Sequence, residues 1–242
     1  MELLFWAVLI IGAVLTLTRL PGLSQSRNQA IFLCGACASI AFGLMIPVIY
    51  DNIDHLLLRT NFTDLFAKLA LLLAVNILVG ELGRSLHHQR SLHLTGGTSG
   101  KVILIVTFAI EMALFAFTDT PRPSPGLGEY INDPLVFAYN AVIVIYIGFL
   151  GAAITGPLLR DAMRPTQPLR RAASALLAGG FILAAVRAIL LLVGFAVHGI
   201  YNLGQDISAI SALFVVAGLT SAWLALRKYR IPRITQSHLR TD

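Results

Sequence analysis

Residues 62–82 read FTDLFAKLALLLAVNILVGEL, twenty-one positions interrupted by only three charged side chains, Asp64, Lys68 and Glu81. A bilayer core about 30 Å thick is crossed by roughly 20 mostly apolar residues in helical form, so the stretch predicts a transmembrane helix. Six others of the same kind surround it, at 3–18, 30–50, 102–118, 135–157, 172–197 and 207–226. All are rich in Leu, Ala, Val and Ile, and too long for barrel strands, which alternate over about ten residues. The first follows Met1 and Glu2 without the basic start and small-residue cleavage site of a secretory signal, so it is read as a span.

Composition agrees. Of 242 residues 57% are hydrophobic and 12% charged, with a mean hydropathy of +0.79. Soluble domains carry about 25% charge, so a water-soluble enzyme of this size is excluded, and so are disordered and collagen-like chains. Two cysteines do not make a disulfide scaffold.

The connections orient the bundle. Arg19, Arg27, Arg84, Arg90, Lys101, Arg160, Arg164, Arg170, Arg171, Arg227, Lys228, Arg230, Arg233 and Arg240 fall on one side, 14 of the 18 basic residues. The opposite loops hold Arg59 and Arg122 among Asp51, Asp54, Asp119, Glu129, Asp133 and Asp206. The positive-inside rule then predicts an all-α bundle of seven transmembrane helices at the plasma membrane, with its N-terminus outside and its C-terminus cytoplasmic. Residues 1–226 form this domain and 227–242 a basic cytoplasmic tail, which also meets anionic lipid heads. The net charge of +6 is a consequence of topology and calls for no nucleic-acid partner.

Ionisable groups within spans cost about 2.5–3.5 kcal/mol each on insertion scales, so they mark function or paired structure. Asp64 and Lys68 stand i,i+4 on one face of the third span, Glu111 in the fourth and Arg187 in the sixth. Counting 1.5 Å per residue from the outer ends puts Lys68, Glu111 and Arg187 at similar depth. They predict one neutral cluster, with Asn140, Tyr139, Asn76, Ser208 and Ser211 as uncharged partners. Such a cluster either fixes helix order or binds a small polar ligand from outside through Asp64, Lys68, Glu111, Asn140 and Arg187. A proton relay through Glu111 is a third reading. Glu81 pairs with Arg84 near the inner end.

Other signals are structural. Pro47 predicts a kink at the outer end of the second span. Gly35/Ser39/Gly43, Gly148/Ala152/Gly156 and Gly180/Ala184/Ala188 place small residues four apart, as close helix packing in lipid requires. Thr118–Asp133, with Pro121, Pro123 and Pro125, reads as a stiff outer cap. Cys34–Cys37 has C-x-x-C spacing but lies within a packing stripe. Thr95–Lys101 lacks the first Gly and the final Ser or Thr of a phosphate loop and reads as a flexible turn. His87, His88 and His93 fall in an inner loop, His55 and His198 at outer ends, and His238 in the tail, so neither haem nor zinc is implied. Asn61-Phe62-Thr63 matches a glycosylation sequon at the membrane boundary and is read as unused.

Retinal proteins hold their chromophore on a lysine of the seventh helix, and residues 207–226 contain none. The segment Tyr50-Asp51-Asn52-Ile53-Asp54 through Asn61-Phe62-Thr63-Asp64-Leu65 resembles the second-to-third-helix junction of actinobacterial seven-helix membrane proteins, some labelled as transporters. It is similar also to sensor regions that precede histidine kinases, although no kinase follows here. The resemblance implies a membrane-embedded sensor or transporter and brings no catalytic residues with it. The reading that follows is a receptor-like or regulatory protein acting through a membrane or cytoplasmic partner. An accessory subunit of a membrane complex and a small-solute transporter are the alternatives. No nucleophile–base pair or metal set suggests an enzyme, and no cofactor is implied.

Overall fold

The structure, a computed structural model, describes residues 2–20, 24, 26–57, 60–164, 167–194 and 200–228. His198, Arg59 and the tail beyond Lys228 lie outside the described residues. Among those described there is no strand. The helices are α1 (Glu2–Leu17), α2 (Ser26–Gly43), α3 (Pro47–Leu56), α4 (Phe62–Ser85), α5 (Gln89–Gly96), α6 (Thr98–Phe117), α7 (Pro134–Met163), α8 (Pro168–Gly194) and α9 (Ile200–Lys228). A 3-10 turn, Pro125–Tyr130, sits between α6 and α7.

Five helices, α4 and α6 to α9, are long and apolar enough to cross a membrane, as in a multi-pass membrane protein. α1 is a shorter apolar helix, and α2 with α3 makes a sixth candidate span only if the bent pair counts as one. The continuous span expected over 30–50 is therefore corrected. α2 stops at Gly43, and α3 departs at 91°. Pro47 has no N–H to continue the α2 ladder, yet its fixed φ suits the first position of a helix. Instead of kinking α2 it starts α3, while Ile46 N–H closes the corner on the Gly43 carbonyl at 3.1 Å.

Neighbour relations close a circuit: α1 packs on α2, α2 on α4, α4 on α7, α7 on α8, α8 on α9, and α9 returns to α1. α6 packs against both α4 and α7. The main core joins Leu72 and Val79 of α4, Ile143, Leu150, Ile154 and Leu158 of α7, and Leu177 and Phe181 of α8. Small residues set the approach distances. A Cβ on Gly35 would lie 2.1 Å from Thr16 of α1, and one on Gly148 2.6 Å from Ala188 of α8. Two of the expected stripes thus face neighbours, and Gly148 meets the Ala184–Ala188 part of the third; Gly156 has no atom near its Cβ position and Ala152 is exposed.

The flexible turn expected over 95–101 is a helix junction. α5 ends at Gly96 and α6 begins at Thr98, with Gly97 alone between them. His88 is the N-cap of α5, its ring accepting from Ser91 N–H, and His93 lies within the helix. A Cβ on Gly100 would come 2.3 Å from the Leu94 carbonyl oxygen, whereas one on Gly96 meets nothing within 4 Å. Gly100→Ala is expected to cost about 2–3 kcal/mol, because backbone must move to admit the methyl. Gly96→Ala is expected to be neutral or to stabilise slightly, since alanine is the better helix former. Thermal unfolding of the two purified variants in detergent checks the contrast.

Candidate functional site

The first turns of α4 carry the site. One helical turn separates Asp64 and Lys68, and the Lys68 Nζ lies 3.0 Å from Asp64 Oδ2. Both are buried, at 0% and 2% exposure. The ammonium also sits 3.3 Å from the ring centroid of Tyr139 on α7, a cation–π contact. Glu111 enters from α6 at 0% exposure and faces Lys68 and Asp64 electrostatically. The Ile143 backbone of α7 is its hydrogen-bonding neighbour, and no cation lies within 4.0 Å of it among the described residues. Three helices therefore gather an Asp64–Lys68 ion pair, the Tyr139 ring over its ammonium, and a second carboxylate within electrostatic reach.

An aromatic row borders these charges. Tyr139 packs on Phe115 of α6 with ring centroids 5.9 Å apart, and Phe115 on Phe62 of α4 at 5.2 Å. Leu65, Leu127, Val136 and Tyr139 form a small core beside it. Leu127 belongs to the 3-10 turn, so the loop expected to cap the bundle does insert a fully buried side chain next to the charged group.

Asn61 fastens that cap. Its φ of 57° places it in the left-handed region, which asparagine tolerates better than most residues. Its Oδ1 accepts from Tyr50 Oη at 2.6 Å and from Ser124 N–H at 2.9 Å. Its Nδ2 donates to the carbonyls of Thr120 and Arg122 and to Thr120 Oγ1, at 3.0–3.1 Å. Asp54 of α3 receives Asn61 N–H and Thr63 Oγ1–H. One buried side chain thus holds α3, the start of α4 and the 118–124 segment. The amide nitrogen that a glycan would need is buried and already donating. Tyr50 also faces Asp54 and Asp64 electrostatically, which joins this latch to the charged group.

The other expected site residues are placed as follows. Asn140 is buried on α7 and donates to its own helix at the Val136 carbonyl, 3.1 Å away. Arg187 of α8 donates to Ser208 of α9, and Ser211 Oγ to the Gly180 carbonyl. α8 packs on α7 and α9, whereas α6, which carries Glu111, packs on α4, α5 and α7. The structure thus gathers Asp64, Lys68 and Glu111 with Tyr139 and sets the Arg187–Ser208 contact at another helix pair. Asn76 reaches Tyr146 Oη across α4 and α7 at 2.7 Å. Thr155 and Thr220 bond back to their own helices. Cys34 and Cys37 are free and buried, with Cys34 Sγ against the Ala74 carbonyl. Glu81 pairs with Arg84.

Sequence reading missed Asp54 and Asn61 as site residues, because their partners lie in other elements. It also passed over Asp161. That carboxylate, near the other end of α7, is buried and accepts from Arg170 at 3.0 Å and Ser174 Oγ at 2.7 Å, clamping the α7–α8 connection. No group of three or more metal-ligating side chains occurs among the described residues.

No protein-family model, curated protein or solved structure matches the chain.

Proposed function

We propose that this chain is a receptor-like or regulatory protein of the plasma membrane, whose Asp64–Lys68–Glu111 site takes a small polar ligand from outside. The observation that carries the reading is Glu111, fully buried, without a cation within 4.0 Å among the described residues, and within the electrostatic reach of a lysine already paired with Asp64. A buried carboxylate left in that state is costly. A ligand that supplies further donors relieves the cost and so gains affinity.

The proposed topology has seven spans, the short α1, the bent α2–α3 pair, α4, α6, α7, α8 and α9, with the 118–133 cap at the outer surface. It puts the N-terminus outside and the C-terminus in the cytoplasm, and the one-sided distribution of basic residues supports it. Tyr50 links the site to the latch, so a change of charge at Asp64 is passed to α3 and the cap. A protein partner in the membrane or cytoplasm reads that movement, and no catalytic step is involved.

A small-solute transporter is the second reading, favoured by the Asn76–Tyr146 bond deeper along the α4–α7 seam. Against it, fully buried Leu72 and nearly buried Ile143 belong to the apolar core along that seam. An accessory subunit would use free small-residue faces; Gly35 and Gly148 are occupied by α1 and α8, which leaves the Ala152–Gly156 face of α7 as its one candidate among the three stripes.

Native mass spectrometry of the mildly solubilised protein tests the proposal. A small molecule retained by the wild type and lost from Glu111→Gln is the expected result. A stoichiometric protein partner with no small molecule would favour the accessory subunit instead.

A further inference from the structure

We infer that the ligand of this site is a small organic monocation with an ammonium head. The inference rests on the reading above and adds the chemical class. Lys68 itself displays how an ammonium is held here, 3.0 Å from Asp64 and 3.3 Å above the Tyr139 ring. An acidic side and an aromatic face are the two features that recognise such a head. That one ammonium pairs with Asp64 and is felt by Glu111, which has no cation within 4.0 Å among the described residues. With both carboxylates ionised, one further positive charge brings the group to neutrality. An anion would instead add a third negative charge beside a single lysine.

The organic part has a surface too. From buried Tyr139 the rings step through Phe115 to Phe62, which is 43% exposed. This row leads from the charged group toward the surface and offers apolar faces to a short hydrocarbon chain. A metal ion fits less well, since no group of three metal-ligating side chains occurs among the described residues and Lys68 would repel it. The amine competes with the Lys68 ammonium for the same acceptors and completes the pairing of Glu111.

The test is thermal unfolding of the purified full-length protein with n-butylammonium chloride, sodium butyrate or butyramide at matched ionic strength. A saturable stabilisation by butylammonium alone is expected. Glu111→Gln should weaken it by about tenfold or more, as removing one member of a buried charge pair does. Phe115→Leu keeps the volume apolar and loses the ring, and should weaken it several-fold, which keeps the test open if Glu111→Gln fails to fold. Stabilisation by butyrate instead would overturn the amine and leave a small-polar-ligand site standing, with Lys68 as its recognition group. An equal response to butylammonium in wild type, Glu111→Gln and Phe115→Leu would also overturn it, by placing the binding elsewhere. If all three probes are inert and native mass spectrometry shows no bound small molecule, both the inference and the proposed function fall.

Discussion

Lys68→Met is expected to destabilise the protein by about 3–5 kcal/mol, the cost typical of breaking a buried ion pair by removing one member. Methionine keeps the length and apolar stem of lysine, so little of this comes from a cavity. What remains is Asp64 and Glu111, both at 0% exposure, with no cation between them. Tyr139 loses the charge above its ring as well. Adding Asp64→Asn to Lys68→Met should recover most of the loss, because a neutral pair of similar shape carries no desolvation debt. Unfolding in detergent, followed by helical signal against added denaturant, reads both steps. A Lys68→Met protein as stable as wild type would mean that the ammonium is not buried among these groups.

The second large effect is at Asn61. Asn61→Ala strands the Tyr50 hydroxyl and the Ser124 N–H, and it removes the donors to Thr120 and Arg122. Each buried group left unpaired costs about 1–3 kcal/mol, so a loss of roughly 3 kcal/mol is expected. Alanine also tolerates the left-handed φ of 57° poorly. Asn61→Gly separates the two causes, because it accepts that backbone and still lacks the amide. It should recover about 1 kcal/mol, with the rest of the deficit persisting. The same variants should make the 118–124 segment more susceptible to protease, since the latch is what fastens it to α3 and α4. Unchanged proteolysis in both would show that the cap is held by Leu127 alone.

How far such details were legible depended on the physics behind them. Hydropathy located α4, α6, α7, α8 and α9, since burial in lipid acts on every position of a span, but fell short of the end of α7 by six residues and of the start of α9 by seven. It missed the corner at 44–46 because Leu44, Met45 and Ile46 are as apolar as the residues around them. Only the lost N–H of Pro47 distinguishes a broken span from a kinked one. Depth along a helix follows from counting: Asp64 and Lys68 pair, and Glu111 lies within their electrostatic reach. Azimuth does not follow from counting: Arg187, at a comparable depth, bonds Ser208 on α9, one of the expected uncharged partners, at the α8–α9 pair. Asn61 was read as a local sequon, yet its amide partners lie 59 to 61 residues away. Gly97 and Gly100 suggested mobility, whereas their meaning is close approach between two helices, which becomes visible only once Leu94 is in place.

The central claim is that α4 and α6 bring Lys68 and Glu111 into one electrostatic unit. A double-mutant cycle over Lys68→Met and Glu111→Gln measures that coupling directly. The account predicts that Glu111→Gln offsets at least about 1 kcal/mol of the Lys68→Met loss, because the carboxylate that lysine compensates is then gone. Strict additivity of the two substitutions would contradict it, and the site would reduce to an isolated Asp64–Lys68 pair.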